Sequence, residues 1–506
     1  MEAYTSGRKR LVLVTLCSGL FMAMLDNLVV ATALPAIGAD LRAGTAGLQW
    51  VVEAYSLAYA ALLLSGGVLG DRWGRRPVYV AGLTLFAGGS ALCALAGSLP
   101  VLVAGRAVQG VGAALITPGS LAILRHVFTE DGERARAIGV WSGVSGSGLA
   151  LGPVVGGPLV DRFGWAAVFW INVPVGMAGL LLAARVLPRV PRSGARPDPV
   201  GQLTVVIGLG ALVYALMEGP VRGWGDARVL GAGGAALLAL LAFVLVELRV
   251  AAPMMDLRLL TDRVTGTAAW AAFATAFGFF GLGVFLSLHL QYVLGFSPTE
   301  AGWAMLPATL ATALTSVAAG RLVARRGPRG PLTTGLGLLA AGLAAFSCYG
   351  TGARYAEFAW VLVVLGAGLG LTFTPVSIAV TGAVPPERAG MASATVAMVR
   401  EVGGVAGVAV MGAVLTARLA AALRERLPAD GGRTAGELAR AVTTGGGMGP
   451  ARTAQAVNSA FVTGLHAACL AAAGLLVVVA AAVPVFVRRP RSAGPDEVAG
   501  ALVRRS

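Results

Sequence analysis

Asp26 lies within a long apolar stretch near the start of the chain, with no other charged residue between Leu11 and Pro35. A carboxylate at membrane depth is costly unless it is paired, hydrated or protonated. Such a group can take up and release a proton as its surroundings change, because burial disfavours the charged form and a nearby arginine favours it. Asp26 is therefore the first candidate functional residue.

A second intramembrane charge lies in "LVAGRAVQGVGAA" at 102–114. Arg106 needs a partner, and Gln109 and Gly110 share its helix face at i+3 and i+4. Asp26 and Arg106 are each about seven or eight residues from the outer end of their segment, so both lie roughly 10 to 12 Å below the surface. At this shared depth the two charges could sense each other. In the alternative, Arg106 reaches the surface or bonds backbone carbonyls.

Other polar residues in apolar segments are candidates for lining a substrate cavity: Glu53, Gln109, Asn172, Arg400 and Glu401. Glu53 lies about one turn into its segment, so an interfacial place beside Trp50 is equally open. Arg400 and Glu401 are adjacent, and adjacent residues do not face each other on a helix, so each is expected to have a different partner. For these two, a structural role and a cavity role both stay open.

The composition predicts a polytopic membrane protein, since 57% of the 506 residues are hydrophobic and only 12% are charged. The four cysteines lie in apolar segments without CxxC or CxxH spacing, so we expect small buried side chains and no metal site. No GxxxxGK[ST] sequence for ATP-driven pumping occurs. An enzyme would need a nucleophile with a base, a metal cluster or a soluble domain, and none is visible. We therefore expect no enzyme and no cofactor other than protons.

A helix that crosses the hydrocarbon core needs about 20 mainly apolar residues. Such windows predict an all-α protein with fourteen transmembrane helices at the following approximate positions: 11–34, 49–70, 77–97, 99–124, 137–160, 165–187, 199–219, 228–248, 264–291, 299–323, 331–350, 356–382, 390–416 and 457–487.

The net charge of +15 would suit nucleic-acid binding, but the basic residues follow the topology instead. Placing the N-terminus in the cytoplasm puts most arginines of the short loops on that side, as the positive-inside rule requires. Both termini are then cytoplasmic, the lipid bilayer is a partner and nucleic acid is not. We expect a monomer in the cytoplasmic membrane.

The segment "GVLGDRWGRR" at 67–76 is partly repeated in "GRLVARRGPR" at 320–329, where Ala324 replaces the aspartate. The repeat predicts a duplicated bundle: a six-helix bundle at 1–197, two inserted helices at 198–250, and a second six-helix bundle at 251–506 that includes an outer loop at 417–456 and a cytoplasmic tail. In the first copy a conformational latch is expected to consist of Gly67, Asp71, Arg72, Gly74 and Arg75, with Asp71 accepting from arginines or a helix N-terminus. An ordinary positive-inside turn is the alternative.

The segment "GLALGPVVGGPL" at 148–159 repeats glycine at Gly148, Gly152 and Gly156. This i+4 spacing gives a smooth face for close helix packing. Gly157 follows the last of these glycines, and Pro153 and Pro158 add points at which the helix can bend.

Three of these segments resemble motifs of the major facilitator superfamily. The segment at 67–76 resembles its loop motif, the segment at 102–114 its fourth-helix motif, and the segment at 148–159 its fifth-helix exporter motif. With "LDNLVVATALP" at 25–35, "WAAVFWINVPVG" at 165–176, "LQYVLGFSPTEAG" at 290–302 and "PPERAGMASATVAMVREVGGVAGVA" at 385–409, nearly the whole chain resembles the fourteen-helix drug:proton antiporter family. It departs from the family pattern at Leu28 (usually Thr), Ala31 (usually Asn) and Glu401 (commonly Gln).

The resemblance implies multidrug efflux and antibiotic resistance driven by the proton motive force, with Asp26 and Arg106 as the proton-coupling residues. Apolar walls with few acids favour a small amphiphilic substrate. A proton-coupled importer of a small metabolite remains an alternative, although it should lack the exporter motif. A membrane receptor or enzyme is the third.

Overall fold

The computed structural model describes residues 5–189, 198–250, 253, 255, 257–383, 389–426 and 451–486. This part of the chain is helical and contains no strand. Twelve of its helices are long and apolar enough to cross a membrane. The protein is thus an all-α polytopic membrane protein, as the composition predicts.

The first half consists of seven helical elements: α1 (Ser6–Leu41), α2 (Thr45–Trp73), α3 (Arg75–Ala94), α4 (Leu99–Val127), α5 (Asp131–Phe163), α6 (Ala167–Trp170) and α7 (Asn172–Val186). Helices α6 and α7 together form a single span at Ala167–Val186. The break between them makes Asn172 the first residue of α7.

Two helices follow, α8 (Pro199–Arg222) and α9 (Ala227–Arg249). They pack against each other, and α8 also contacts α2 and α16. The leucines of α9 are largely exposed, as Leu237 and Leu238 show. In a membrane such leucines lie against lipid tails, so exposure carries no penalty there.

The second half consists of α10 (Arg258–Thr261), α11 (Arg263–Leu288), a π-helical turn (His289–Val293), α12 (Pro298–Ala304), α13 (Leu306–Arg326), α14 (Arg329–Phe346), α15 (Tyr355–Ala383), α16 (Ala389–Arg426) and α17 (Ala451–Phe486). A capping box of Ser297 and Glu300 starts α12 and satisfies backbone donors at its first turn.

The two halves repeat one packing scheme. In the first half α1 packs on α5, and α2 and α3 pack on α4; in the second half α11 packs on α16, and α13 and α14 pack on α15. The sequence repeat recurs in the backbone, where Gly74 follows α2 with φ 106° and Gly327 follows α13 with φ 76°. Glycine suits both turns because it adopts positive φ without a Cβ clash.

Two of the fourteen predicted spans fall outside the twelve. They correspond to α5, which is rich in glycine and serine, and to α14, which has only 18 residues and starts at Arg329. The predicted outer loop at 417–456 is too long, because α16 continues to Arg426 and α17 begins at Ala451. This extension is amphipathic: Leu419 and Leu423 are fully buried, while Arg418, Arg424 and Glu425 are exposed. Residues 427–450 and the tail after 486 lie outside the described residues.

The halves meet near the ends of α5 and α12, on the side predicted to face outward. A Cβ on Gly157 would overlap the Pro298 carbonyl oxygen, and a Cβ on Gly302 would overlap that of Pro153. The Thr299 amide also donates to Asp161 Oδ2 at 3.0 Å. Bare backbone thus lets the two halves close against each other here.

Candidate functional site

Asp26 lies on α1 and is completely buried. Its Oδ2 forms an ion pair with Arg106 Nη1. Its Oδ1 accepts from Gln109 Nε2 at 3.1 Å and from Asn172 Nδ2 at 2.6 Å. Side chains from α4 and α7 therefore surround one carboxylate on α1, and their hydrogen bonds offset the cost of its burial.

Arg106 is also completely buried. Its Nη1 donates to Gln109 Oε1 at 2.8 Å and its Nε to the Val51 carbonyl at 2.9 Å. The guanidinium carbon lies 4.5 Å from the centre of the Tyr55 ring. Arg106 thus faces Asp26 rather than the membrane surface, and it also bonds a backbone carbonyl of α2.

Glycines of the fourth-helix motif bring this arginine to the centre of the first half. A Cβ on Gly105 would come within 2.6 Å of Cys93 Sγ on α3, and one on Gly110 would overlap the Tyr55 carbonyl on α2. Such short approaches leave no space for larger residues. Close packing of α4 on both helices carries Arg106 and Gln109 to the depth of Asp26.

The fifth-helix glycines pack on α1 on either side of Asp26. A Cβ on Gly148 would lie 3.0 Å from the Phe21 carbonyl and one on Gly152 would lie 2.9 Å from the Val29 amide. One on Gly156 would overlap Thr32 Oγ1. One face of α5 therefore fixes α1, while Gly157 and Pro153 meet the second half.

The predicted latch residues lie together at the end of α2 and the start of α3. Asp71 forms an ion pair with Arg75, whose Nη1 also donates to the Gly67 carbonyl at 3.2 Å. Arg72 is exposed, and Gly74 supplies the turn. Asp71 thus has an arginine partner within its own motif.

Arg400 and Glu401 do not have separate partners, so that prediction is wrong. Arg400 Nη2 donates to Glu401 Oε1 at 2.6 Å. Adjacent side chains leave a helix in different directions, but the arginine side chain is long and flexible enough to bend back to its neighbour. The guanidinium carbon also lies 5.6 Å from the centre of the Phe373 ring.

A narrow cavity lies between the halves, and Glu401 is the ionisable residue among those that line it. Its walls come from α1, α2, α11 and α16: Asn27, Leu28, Ala31, Val52, Ser56, Phe280, Val284, Glu401, Gly404, Val405 and Val408. Apolar walls with a few polar groups suit an amphiphilic molecule.

The other predicted cavity residues lie elsewhere. Gln109 and Asn172 bind Asp26 instead. The close packing of α4 turns Gln109 inward, and the break between α6 and α7 turns Asn172 inward. Glu53 is completely buried and belongs neither to the lining of this cavity nor to a wet interface. Sequence reasoning missed Ser90, which accepts from Gln109 Nε2 at 2.6 Å, and the Val51 carbonyl, since neither belongs to a motif.

The cysteines of the described residues are unpaired. Three are buried as expected, but Cys348 is exposed. It lies just beyond the end of α14, where the helix leaves the packed core.

A helical bundle of two similarly packed halves, with a buried acid and arginine in one half and a cavity between the halves, has the organisation of a membrane transporter. The comparison with known families agrees. Residues 16–408 match the family model described as Major Facilitator Superfamily, and the chain belongs to that superfamily. It is therefore a multi-pass transporter and not an enzyme.

Similar curated proteins include the multidrug resistance protein Stp of Mycobacterium tuberculosis, 37% identical over 81% of this chain and 76% of that protein. The tetracenomycin C resistance and export protein of Streptomyces glaucescens is 36% identical over 97% of this chain and 93% of that protein. Among solved structures, a bacterial homologue of the human lysosomal transporter Spinster shares the fold, with a TM-score of 0.64 at 20% identity over 96% of this chain and 98% of its own.

Proposed function

We propose that this protein exports amphiphilic drugs or antibiotics across the cytoplasmic membrane in exchange for protons. The observation that carries the proposal is the sealed carboxylate of Asp26, held by Arg106, Gln109 and Asn172. The names of the Mycobacterium and Streptomyces relatives support drug export as the direction and substrate class.

Asp26 acts on the substrate through α1 rather than by touching it. Asp26 faces Arg106, whereas Asn27, Leu28 and Ala31 of the same helix line the cavity. When a proton from outside neutralises Asp26, its ion pair with Arg106 is lost and the position of α1 against α4 changes. The cavity wall that α1 supplies then changes as well, and the drug is released outward.

The energy of the exchange is sufficient. Each charge that crosses a potential of 100 mV supplies about 2.3 kcal/mol, so inward movement of one or two protons can sustain a substantial drug gradient. We also propose that both termini lie in the cytoplasm and that the transporter is a monomer.

Transport into inverted vesicles tests it, with a compound panel that includes tetracenomycin C and ethidium. We expect uptake that a protonophore abolishes, and no uptake by Asp26→Asn or Arg106→Ala at matched expression. Uptake that survives the protonophore would contradict proton antiport. Movement only in the opposite direction would favour the importer.

A further inference from the structure

Glu53 is a second buried acid, and no partner offsets its burial. Its side chain is 0% exposed, and both carboxyl oxygens lack a hydrogen-bond partner among the residues that the structure describes. An ionised carboxylate without a partner is far costlier in such a place than the neutral acid. Glu53 is therefore protonated in this conformation, whereas Asp26 has a cation beside it.

Neighbours on α2 show which way Glu53 faces. Trp50 and Leu57, at i−3 and i+4, pack with Val213 and Met217 of α8 and with Val405 of α16. Residues three and four apart share a helix face, so Glu53 lies where α2, α8 and α16 meet. Near the outer end of the same contact, a Cβ on Gly412 of α16 would overlap the side-chain nitrogen Nε2 of Gln49.

The Asp26 site lies on the other side of α2. Val51 and Tyr55 both contact Arg106. One lies two residues before Glu53 and the other two residues after it, and a step of two residues turns about 200° around a helix. The two acids therefore face different surroundings and can bind protons separately.

Among the elements packed around Glu53, three arginines pair with acids, and Arg418 and Arg424 of α16 are exposed near the outer end of that helix. On α8, Glu218 pairs with Arg222; on α16, Arg400 pairs with Glu401; on α4, Arg106 pairs with Asp26. Tyr214 of α8, which follows Val213 in the chain, is titratable but carries no positive charge. No cation is therefore placed to hold Glu53 ionised while this contact is closed.

We propose that Glu53 is a second proton-binding residue, which must be protonated before α2 can close against α8 and α16 on the outer side. When these helices separate, water reaches the carboxyl and it loses its proton to the outer solution. The ionised carboxylate then opposes closure until a proton returns. The proposal rests on the proposed function only in assuming that the outer side opens and closes during transport.

The distance between the turn that joins α1 to α2 and the outer end of α16 tests this proposal without any substrate. Spin labels are attached to Arg42→Cys and Arg424→Cys, two exposed positions, after replacing the four native cysteines with alanine. The distance distribution of the purified full chain is measured from pH 5 to pH 9. We expect the ratio of closed to open molecules to fall by up to about tenfold per pH unit above the pH at which Glu53 ionises in the open state.

Variants assign that titration. Glu53→Gln and Glu53→Met are expected to stay closed across the range, and Glu53→Met should fold at least as well as the parent because it removes an unpartnered polar group. Glu218→Gln, on the neighbouring helix, is the matched control and should titrate like the parent. Asp26→Asn should also keep the titration, even though it abolishes efflux.

A parent-like titration in both Glu53 variants would overturn the proposal. So would a titration that Asp26→Asn removes and Glu53→Gln retains, since the proton would then belong to Asp26. Neither outcome affects the efflux result in vesicles, so failure of the second site and failure of proton antiport are distinguishable.

Discussion

Replacing Asn172 with leucine should move the pH dependence of drug binding upward. The Asn172 amide donates to Asp26 Oδ1 at 2.6 Å, and this hydrogen bond is made to the charged carboxylate. Leucine branches at Cγ as asparagine does but has no donor, so it destabilises the ionised carboxylate and leaves the protonated form nearly unaffected. The drug-binding form then appears only at a higher pH.

The size of the change follows from the contact. A hydrogen bond to a charged group contributes about 1.5 to 3 kcal/mol, and about 1.4 kcal/mol corresponds to one pH unit. Arg106 and Gln109, which also contact Asp26, are unchanged in the variant. We therefore expect the midpoint of drug binding to rise by about 1 to 2 pH units.

The assay is drug binding to the purified protein across pH, with the compound that vesicles transport best. Thr32→Val is the control, because the Thr32 hydroxyl is buried on the same helix as Asp26 but donates only to the Val29 carbonyl at 2.7 Å. It should leave the midpoint in place. An unchanged midpoint in Asn172→Leu, in protein that binds the drug at its usual capacity, would refute the assigned role of this amide.

Two other substitutions address the contact between halves and the latch. Gly157→Leu should lower efflux about tenfold or more, because its side chain meets the Pro298 backbone and keeps the two halves apart on the outer side. Gly139→Leu is its control, since this position of α5 has no neighbour within 4 Å. Equal efflux by both variants would contradict closure of the two halves at Gly157. Asp71→Asn should slow efflux while changing the free energy of unfolding by only about 0 to 1 kcal/mol, since its pair with Arg75 is partly exposed. Efflux at the parent rate would exclude a latch at this pair.

Hydrophobic windows and short motifs predict most of the fold because they reflect strong and local constraints. The apolar runs give the helices, and glycines such as Gly74 mark turns where a side chain would clash. Equal depth along α1 and α4 was enough to predict that Asp26 and Arg106 could meet. The structure brings them together through the glycines of α4.

Other features depend on side-chain direction or on breaks inside a span, which a hydrophobic window does not register. Asn172 reaches Asp26 only because α6 ends and α7 begins beside it. Arg400 bends back to Glu401 because of its length and flexibility. Glu53 lacks any partner among the described residues, and this is visible only once α8 and α16 are placed around α2.

Release of protons upon drug binding measures directly whether Asp26 couples drug to proton. Purified protein in weakly buffered solution is mixed with the transported compound, slightly below the midpoint pH of binding, and the pH change is recorded. We expect up to about one proton per bound drug from the parent protein and none from Asp26→Asn. Equal proton release by Asp26→Asn and the parent, at equal drug binding, would exclude Asp26 as the coupling residue.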